Sequence, residues 1–236
     1  MTAVVTGASG GIGGAIAVAL AERDAAVCLG GRDSQRLQMA AERVDATGRG
    51  RAEVYRADLT VESELADMTA ALRARPDGVD ILVHSAGEFA RGRFEATPVE
   101  VLDRLVALNV RSAFLLTQEL VPILKQRGGQ VVFINSSVSV ATRALVGPYA
   151  LTQHARRALT DTFRHELNEQ GVRVMGVYPG RTATRMQAEI HRLEGRPYEP
   201  SRLLQPGDVA EVITAALALP RTAEVTDLHV RPAERA

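Results

Sequence analysis

A glycine-rich turn near the beginning of the sequence limits what the chain can fold into more than any other feature. The apolar run Ala3–Thr6 leads directly into the segment TGASGGIG at positions 6–13, and a helical pattern follows over Gly11–Arg23. Glycine lets the backbone turn tightly and approach a pyrophosphate closely, and the free N–H groups at a helix start favour an anion. The order strand, glycine turn, helix therefore predicts a dinucleotide-binding site. The residues expected to line it are Gly7, Ser9, Gly11, Ile12 and Gly13.

Short runs rich in Val and Ile alternate with longer helical patterns along the rest of the chain. The predicted strands are Ala3–Thr6, Ala26–Leu29, Ala52–Tyr55, Val79–His84, Gln130–Asn135, Val172–Tyr178 and Thr226–Val230. The predicted helices are Gly11–Arg23, Ser34–Thr47, Val61–Arg73, Pro98–Arg127, Pro148–Gln170 and Asp208–Leu219. This alternation predicts an α/β fold of three layers, in which a mostly parallel, doubly wound sheet lies between two layers of helices.

The length of the chain favours one domain. Its 236 residues are enough for one substantial α/β domain and short for two, so we expect a single domain over residues 1–236. One long irregular stretch, Thr182–Gln205, is rich in Arg, Glu and Pro. A loop of this length in a compact domain is usually functional, so we expect a partly helical lid over the active site.

Composition excludes several classes of function. The 28 basic and 28 acidic residues give a net charge of zero, which argues against binding to nucleic acid or to a membrane surface. The single cysteine, Cys28, excludes a disulfide framework and a multi-cysteine metal site, and we expect no metal. No apolar run approaches the roughly 20 residues of a membrane span. The first residues do not resemble a signal peptide, so we expect a cytoplasmic protein.

Several motifs follow one another in an order typical of one family. They are the Thr-Gly-x-x-x-Gly-x-Gly spacing of residues 6–13, Asp58-Leu59, His84-Ser85-Ala86-Gly87, Asn109, Ser136 before Tyr149, and Pro179-Gly180-Arg181-Thr182-Ala183-Thr184. In these motifs the chain resembles the single-domain branch of the short-chain dehydrogenase/reductase family, from the glycine turn to the last strand. The resemblance implies a Rossmann sheet, usually of seven parallel strands. It also implies hydride transfer between a nicotinamide cofactor and a carbonyl or alcohol, and homodimers or homotetramers formed through the two longest helices.

The end of the second predicted strand bears on the choice of cofactor. NAD-dependent Rossmann sites place an acidic residue there to hold the ribose 2′-hydroxyl, whereas this sequence has Gly31 followed by Arg32. A guanidinium pairs with the 2′-phosphate of NADP, so we expect NADP(H) rather than NAD(H), while Asp33 can still cap the next helix. The resemblance adds further cofactor contacts, which are Asp58, Leu59, Ala86, Gly87, Tyr149, Gln153, Pro179, Gly180, Thr182 and Thr184.

The same resemblance assigns the catalytic residues. Tyr149 would exchange the proton, Ser136 would hold the substrate oxygen, and Asn109 would hold a water in a proton relay. Ser136 lies 13 residues before Tyr149, which is the usual family spacing. A one-residue difference in the length of this loop would select Ser137 instead.

One position departs from the family pattern. Family members carry a lysine four residues after the tyrosine, which binds the nicotinamide ribose and lowers the pKa of the tyrosine, but this sequence has Gln153. An amide can hydrogen-bond a ribose hydroxyl but has no charge with which to favour a tyrosinate. The only lysine, Lys125, lies about 24 Å beyond Asn109 along a continuous helix and does not look like a substitute.

Other basic residues follow Gln153 but look unsuitable as substitutes. His154 lies about 140° around the helix from Tyr149, and we favour a packing or interface position for it. Arg156 and Arg157 are expected to point elsewhere, into solvent or an interface.

The sequence is compatible with three functions. The first is a reductase, because reduction needs a protonated tyrosine and loss of the lysine harms oxidation more. The second is a non-redox enzyme on the same scaffold that performs a cyclisation, dehydration or epimerisation. The third is a catalytically weak NADP(H)-binding or regulatory protein. An engineered glutamine at position 153 is a further possibility. No feature of the sequence identifies the substrate.

Overall fold

The computed structural model describes residues 1–233, and its centre is one seven-stranded parallel sheet. The strands are β1 (Thr2–Thr6), β2 (Ala26–Gly31), β3 (Arg51–Arg56), β4 (Ile81–His84), β5 (Gln130–Ile134), β6 (Arg173–Pro179) and β7 (Asp227–Val230). Their order in the sheet is β3-β2-β1-β4-β5-β6-β7, and every neighbouring pair is parallel. The predicted Rossmann fold is therefore confirmed.

Helices cover both faces of the sheet. They are α1 (Gly11–Ala21), α2 (Ser34–Asp45), α3 (Glu62–Arg73), α4 (Val99–Val106), α5 (Ser112–Arg127), α6 (Gly147–Leu167), α7 (Arg185–Glu194) and α8 (Pro206–Leu217). Residues of α1, α2 and α8 share one apolar core with the sheet, and residues of α3, α5 and α6 share the other. Parallel strands need such cover because both of their faces are apolar.

The strand order reverses between β1 and β4, which are neighbours in the sheet although β2 and β3 lie between them in sequence. Helix α1, which follows β1, packs on one face of the sheet, and α5, in the segment between β4 and β5, packs on the other face. Such a point opens a crevice beyond the carboxyl ends of the strands, where ligands bind in open α/β sheets.

The helix predicted as Pro98–Arg127 is the one regular element whose interior differs from expectation. It consists of α4, a π-helical turn over Ala107–Arg111, and α5. A π turn adds one residue to the helical repeat, and such turns occur frequently at functional sites. This turn contains Asn109.

The irregular segment 182–205 contains helix α7 and a short 3₁₀ turn at Pro200–Arg202. Its two ends meet in a bridge between Thr182 and Leu204. The prediction of a partly helical segment is thus confirmed, while its role as a lid stays a prediction. Within residues 1–233, no helix combines the length and apolar character that crossing a bilayer requires.

Candidate active site

The glycine turn leaves its backbone open because side chains would not fit there. Gly7 has a φ of 67°, and a Cβ on it would lie 2.7 Å from the Ala86 nitrogen. A Cβ on Gly13 would lie 2.5 Å from the carbonyl oxygen of Gly7, and a Cβ on Gly11 would lie 2.6 Å from Cγ2 of Thr184. The turn after β1 thus contacts the segments that follow β4 and β6, and its bare backbone forms a cradle that fits a pyrophosphate.

The expected 2′-phosphate position is open and lies beside a basic side chain. A Cβ on Gly31 would be 3.4 Å from Oγ of Ser9, which places the end of β2 next to the glycine turn. Arg32 follows with 67% of its side chain exposed, and its Nη1 is 3.9 Å from Oδ2 of Asp58. Asp33 caps α2 by accepting a hydrogen bond from the Arg36 amide at 3.1 Å, which leaves Arg32 available to a ligand.

Asp58 has a fixed orientation in the turn after β3. Its Oδ1 accepts hydrogen bonds from the amide and the hydroxyl of Thr60 at 2.9 Å and 2.7 Å. Burial raises the pKa of Asp58, but these hydrogen bonds and the charges of Arg32 and Arg56 outweigh it and hold the pKa below its ordinary value. Leu59 beside it is buried. The pair therefore presents a carboxylate and an apolar side chain near Arg32.

Tyr149 lies in the first turn of α6, at the carboxyl edge of the sheet. Its ring meets the ring of Phe89 edge-on, with 5.0 Å between centroids. Burial raises the pKa of Tyr149 above its ordinary value, and this effect exceeds the opposing effects of the Ser136 side chain and of the charges of Arg156 and Arg143. The phenol is therefore protonated at neutral pH.

Ser136 lies at the end of β5, where its Oγ accepts a hydrogen bond from the Val138 amide at 3.2 Å. It interacts with Tyr149, whereas the neighbouring Ser137 is exposed to solvent. The geometry thus favours Ser136 for the serine role, which stays a prediction. A third hydroxyl nearby, on Ser139, donates to the carbonyl of Ser136.

Asn109 is fully buried in the π turn, and protein atoms occupy its side chain. Its Oδ1 accepts from the Glu88 amide at 2.9 Å, and its Nδ2 donates to the Glu88 carbonyl at 3.0 Å and to Oγ1 of Thr152 at 3.1 Å. These bonds join the loop after β4 to α6. The side chain of Asn109 thus acts as a brace, while its main-chain carbonyl accepts a hydrogen bond from Nη1 of Arg156 at 3.3 Å.

Gln153 and Arg156 lie on the buried face of α6. Gln153 is 4% exposed, and within residues 1–233 the structure records no hydrogen bond to its side chain. Arg156 is 2% exposed and donates to the carbonyl oxygens of Ala86 at 3.0 Å, of Asn109 at 3.3 Å, and of His84. The prediction that Arg156 points into solvent or an interface is wrong, because these carbonyls draw its guanidinium inward. Arg157 is exposed, as predicted.

Sequence reasoning missed Arg156 although its spacing carried a signal. Seven residues separate it from Tyr149, and seven residues bring an α-helix back to nearly the same face after two turns. Thr152 was missed as well. Its hydroxyl donates to the Tyr149 carbonyl at 2.8 Å while it accepts from Asn109, so it links two predicted catalytic residues.

Helix α7 begins beside the glycine turn, where Thr184 lies next to Gly11. Thr184 caps it by accepting from the Gln187 amide at 3.2 Å. Near its other end, the Glu194 carboxylate lies 2.7 Å from a nitrogen of Arg181 and 3.7 Å from a nitrogen of Arg143. These ion pairs connect α7 with the loop after β6 and the loop before α6.

The opposite, amino edge of the sheet has a charged hollow lined in part by Asp24, Arg49, Asp80 and Arg127. Arg49 pairs with Asp24 at 2.7 Å and Arg127 with Asp80 at 2.8 Å, so these charges neutralise one another. Among the residues that the structure describes, no cluster of side chains is suited to hold a metal ion. The carboxyl edge is therefore the candidate active site.

Comparison with known proteins shows the family to which the chain is similar. A family model described as short chain dehydrogenase matches residues 1–195. An uncharacterised oxidoreductase of Staphylococcus epidermidis is 32% identical over 231 residues, which are 98% of this chain and 96% of that protein. The structure of an alcohol dehydrogenase from the archaeon Thermococcus sibiricus, complexed with 5-hydroxy-NADP, is similar with a TM-score of 0.89 and 29% identity, covering 100% of this chain and 98% of that one.

A short-chain dehydrogenase from Sphingobium yanoikuyae in complex with NADPH is also similar, with a TM-score of 0.83 and 29% identity over 96% of this chain and 87% of that one. The family model covers most of the chain, and the sheet order, glycine turn and carboxyl-edge crevice agree with it. The chain belongs to the short-chain dehydrogenase family of oxidoreductases.

Proposed function

We propose that the protein is an NADP(H)-dependent reductase that converts a carbonyl group into an alcohol. The observation that carries this proposal is the protonated phenol of Tyr149 next to Ser136, at the carboxyl edge of the sheet. Reduction adds a hydride to the carbonyl carbon and a proton to its oxygen. A tyrosine with a raised pKa holds that proton at neutral pH, and the phenol is still more acidic than the alcohol that forms, so it can protonate the oxygen as the hydride arrives.

The residues of the crevice fit the cofactor. The backbone of Gly7, Gly11 and Gly13 would hold the pyrophosphate, because no side chain blocks its approach. Further contacts are proposed for Ser9, Ile12, Asp58, Leu59, Ala86, Gly87, Gln153, Pro179, Gly180, Thr182 and Thr184. When bound, the nicotinamide supplies the hydride.

Two side chains would act on the substrate itself. The Ser136 hydroxyl would donate a hydrogen bond to the carbonyl oxygen, and Tyr149 would transfer its proton to that oxygen. Asn109 would support this transfer through its main-chain carbonyl, which has a second lone pair beside the one that accepts from Arg156, since its side-chain amide is engaged by Glu88 and Thr152. The segment 182–205 would cover the substrate as a lid and exclude water, within a single domain over residues 1–236.

The preference for NADP(H) rests on Arg32. It follows Gly31, which has no carboxylate to repel a 2′-phosphate, and its guanidinium is largely exposed. A guanidinium binds a phosphate through two parallel hydrogen bonds. The similar structures that contain NADP or NADPH support this preference.

Binding of the cofactor tests the first part of the proposal. We expect NADPH to bind saturably and more tightly than NADH, measured by the fluorescence of the nicotinamide, which no tryptophan of the protein disturbs. Arg32→Ser should weaken NADPH binding about tenfold to a hundredfold and leave NADH unchanged, since one bidentate phosphate contact is lost. Arg49→Ser, at the amino edge, is the matched control. Equal binding of NADPH to both variants would contradict the assignment of Arg32.

Measurement of turnover tests the second part of the proposal, which is the reduction of a carbonyl group. Purified protein would be incubated with NADPH and a panel of aldehydes and ketones, and NADPH oxidation would be followed by absorbance. Tyr149→Phe should lower kcat at least about a hundredfold with little change in cofactor affinity, because it removes the proton donor and keeps the ring. Activity that survives Tyr149→Phe would contradict the role of Tyr149.

A second candidate function is favoured by one observation, the neutral Gln153 on the buried face of α6. It is a non-redox reaction such as a cyclisation, dehydration or epimerisation, or NADP(H) binding without catalysis. Tight NADPH binding without NADPH oxidation by any carbonyl in the panel would favour this second candidate over the reductase.

A further inference from the structure

Three residues form a row along the buried face of α6, and they are Tyr149, Gln153 and Arg156. They lie on successive turns, because residues three or four apart are neighbours on a helix. Gln153 is 4% exposed and Arg156 is 2% exposed. The helix that borders the candidate active site therefore contains a phenol, a neutral amide and a guanidinium in line.

The Arg156 guanidinium is held by backbone carbonyls. Its Nη1 donates to Ala86 and Asn109 at 3.0 Å and 3.3 Å, and its Nη2 donates to His84. Its Cζ lies 5.9 Å from the centroid of the Phe133 ring, and its Nε is buried without a hydrogen-bond partner among the described residues. The side chain is thus fixed by partners from β4, β5 and the π turn.

The charge of Arg156 has no acidic partner nearby. Within residues 1–233, no carboxylate lies within ion-pair distance of it. Burial lowers the pKa of Arg156 to about 10, so the guanidinium is still protonated at neutral pH. Isolated buried charges are costly, and neutral carbonyl dipoles compensate for this one only in part. Its electrostatic field therefore extends into the neighbouring site, where water screens it little.

Tyr149 lies two turns before Arg156 on the same helix. The two residues are about 10.5 Å apart along the helix axis, and helical side chains point back toward the helix amino terminus. Arg156 also fixes the Ala86 carbonyl, and the loop that continues from it contacts Tyr149 through the Phe89 ring, 5.0 Å away. The two residues interact electrostatically in both directions, since each favours the charged form of the other.

We propose that Arg156 is a positioning residue that supplies the fixed positive charge of the site and favours the phenolate form of Tyr149 without touching the substrate. Its catalytic consequence rests on the proposed reductase function, in which Tyr149 must give up its proton. Its effect on Tyr149 itself does not depend on substrate or cofactor. In this arrangement a guanidinium two turns after the tyrosine provides a charge that Gln153, one turn after it, cannot provide.

Another cation also faces Tyr149, and it differs from Arg156 in exposure. Arg143, in the loop before α6, has 46% of its side chain exposed and lies 3.7 Å from Glu194, whose opposite charge offsets it. Salt screens exposed charges more than buried ones. The dependence of the Tyr149 pKa on salt therefore distinguishes the effect of Arg143 on this pKa from the effect of Arg156.

The remaining titratable groups near Arg156 do not replace it. Burial, and after it the charge of Arg156, holds the pKa of His84 well below its ordinary value, so this imidazole is neutral at neutral pH. Glu88 and Arg104 lie 3.0 Å apart and neutralise each other at the outer side of the loop that Asn109 braces.

Direct titration of Tyr149 tests the proposal. The chain has four tyrosines, so protein labelled with a fluorinated tyrosine gives four fluorine NMR signals, and Tyr149→Phe identifies one of them. The fluorinated phenol is more acidic, which brings its titration into a pH range where circular dichroism can verify the fold. Arg156→Gln should raise the Tyr149 pKa by about one unit, because it removes the charge and keeps an amide that can donate to the same carbonyls. The exposed neighbour gives a matched control, Arg157→Gln, which should leave the pKa unchanged.

Two results would overturn the proposal. One is a folded Arg156→Gln protein whose Tyr149 pKa equals that of the unaltered protein. The other is an equal rise of this pKa in Arg156→Gln and Arg157→Gln, because loss of any positive charge on α6 would then have the same effect. Loss of reductase activity in every assay would refute the proposed function alone, since the titration uses neither cofactor nor substrate.

Salt provides a measurement that does not depend on the folding of any Arg156 variant. In the unaltered protein, raising the salt concentration from about 0.05 M to about 1 M should move the Tyr149 pKa by less than about 0.3 unit, because the charge that acts on it is buried. A rise of about one unit that disappears in Arg143→Gln would assign the effect to Arg143 and overturn the proposal.

Discussion

Asn109 contributes to the site through the protein atoms that it joins. Its side chain makes three hydrogen bonds, two to the backbone of Glu88 and one to Thr152, and none of its surface reaches solvent. The loop after β4, the π turn and α6 therefore keep their relative positions through one amide. A buried group that loses such partners costs much more than an exposed one.

Substitution of Asn109 should accordingly destabilise the protein more than substitution of its partner Thr152. We expect Asn109→Ala to lower the free energy of unfolding by about 3 kcal/mol, because the Glu88 backbone groups lose their partners, and Thr152→Val to lower it by about 1 kcal/mol. Denaturation by urea, followed by circular dichroism, measures both values. Equal stabilities of the two variants would contradict the role of Asn109 as a brace.

The raised pKa of Tyr149 sets opposite pH dependences for the two directions of the proposed reaction. Reduction needs the phenol, which predominates below the pKa, and oxidation needs the phenolate, which predominates above it. Because burial raises this pKa above its ordinary value, reduction should be constant through neutral pH and fall about tenfold per pH unit beyond the pKa. Alcohol oxidation should rise with pH over the same range. Measurement of kcat in both directions across pH checks this, and a reduction rate that falls already near neutral pH would contradict it.

At the scale of elements, ion pairs hold helix α7 to the loop after β6 and to the loop before α6. Glu194 has 13% of its side chain exposed and bonds to Arg181 at 2.7 Å. Burial raises the pKa of Glu194, but the hydrogen bond from Arg181 and the charges of Arg181 and Arg143 outweigh it, and the net pKa lies below its ordinary value. A lowered pKa means that this carboxylate stabilises the folded state above its unfolded pKa, and the effect disappears as pH falls through the folded pKa.

Removal of this charge should loosen α7. We expect Glu194→Gln to accelerate amide hydrogen exchange within Arg185–Glu194 about tenfold, because a partly buried charged hydrogen bond is lost. The control on the same helix is Glu189→Gln, whose partner Arg192 is 69% exposed and contributes little. Hydrogen exchange followed by mass spectrometry measures both variants. Equal exchange in the two would show that Glu194 does not anchor the helix.

The regular elements were predictable because their signals are local. The alternation of apolar strands with helical patterns gave all seven strands, with ends displaced by one or two residues, and it gave their arrangement in a parallel sheet. The π turn at Ala107–Arg111 was not predictable in this way. It accompanies contacts of Asn109 with Glu88 and Thr152, which lie 21 and 43 residues away in sequence, and no local pattern reports such contacts.

The candidate site was predictable where a motif fixes the backbone. The glycine turn, Ser136 and Tyr149 follow motifs, and the structure brings these residues to one edge of the sheet. Arg156 was not predictable from composition, because charged residues are rarely buried without a charged partner. Its guanidinium is buried because it donates hydrogen bonds to the carbonyls of His84, Ala86 and Asn109. These residues lie 47 to 72 positions away from Arg156 in the sequence.

At the scale of the whole molecule, α5 and α6 carry apolar side chains on their outer surfaces. On the side of α5 and α6, Phe114 packs on Phe163 with 6.0 Å between ring centroids and still exposes 40% of its surface, and Leu151 on α6 exposes 52%. Apolar side chains that neighbouring helices leave exposed together are typical of an interface. The assembly of two or four chains through the two longest helices, which stays a prediction, would cover them.

If the chains assemble in this way, replacing an apolar side chain by glutamate should weaken association on one side of the sheet and not on the other. We expect the protein, with a chain mass of 25.3 kDa, to sediment as a dimer or tetramer at micromolar concentration. Leu151→Glu should weaken association at least about tenfold, because each interface would bury carboxylates without partners. Met39→Glu, at a 58% exposed position on α2, should leave the sedimentation unchanged. Sedimentation velocity over a range of concentrations measures all three proteins. A monomeric unaltered protein, or equal sedimentation of the Leu151 and Met39 variants, would contradict an interface on α6.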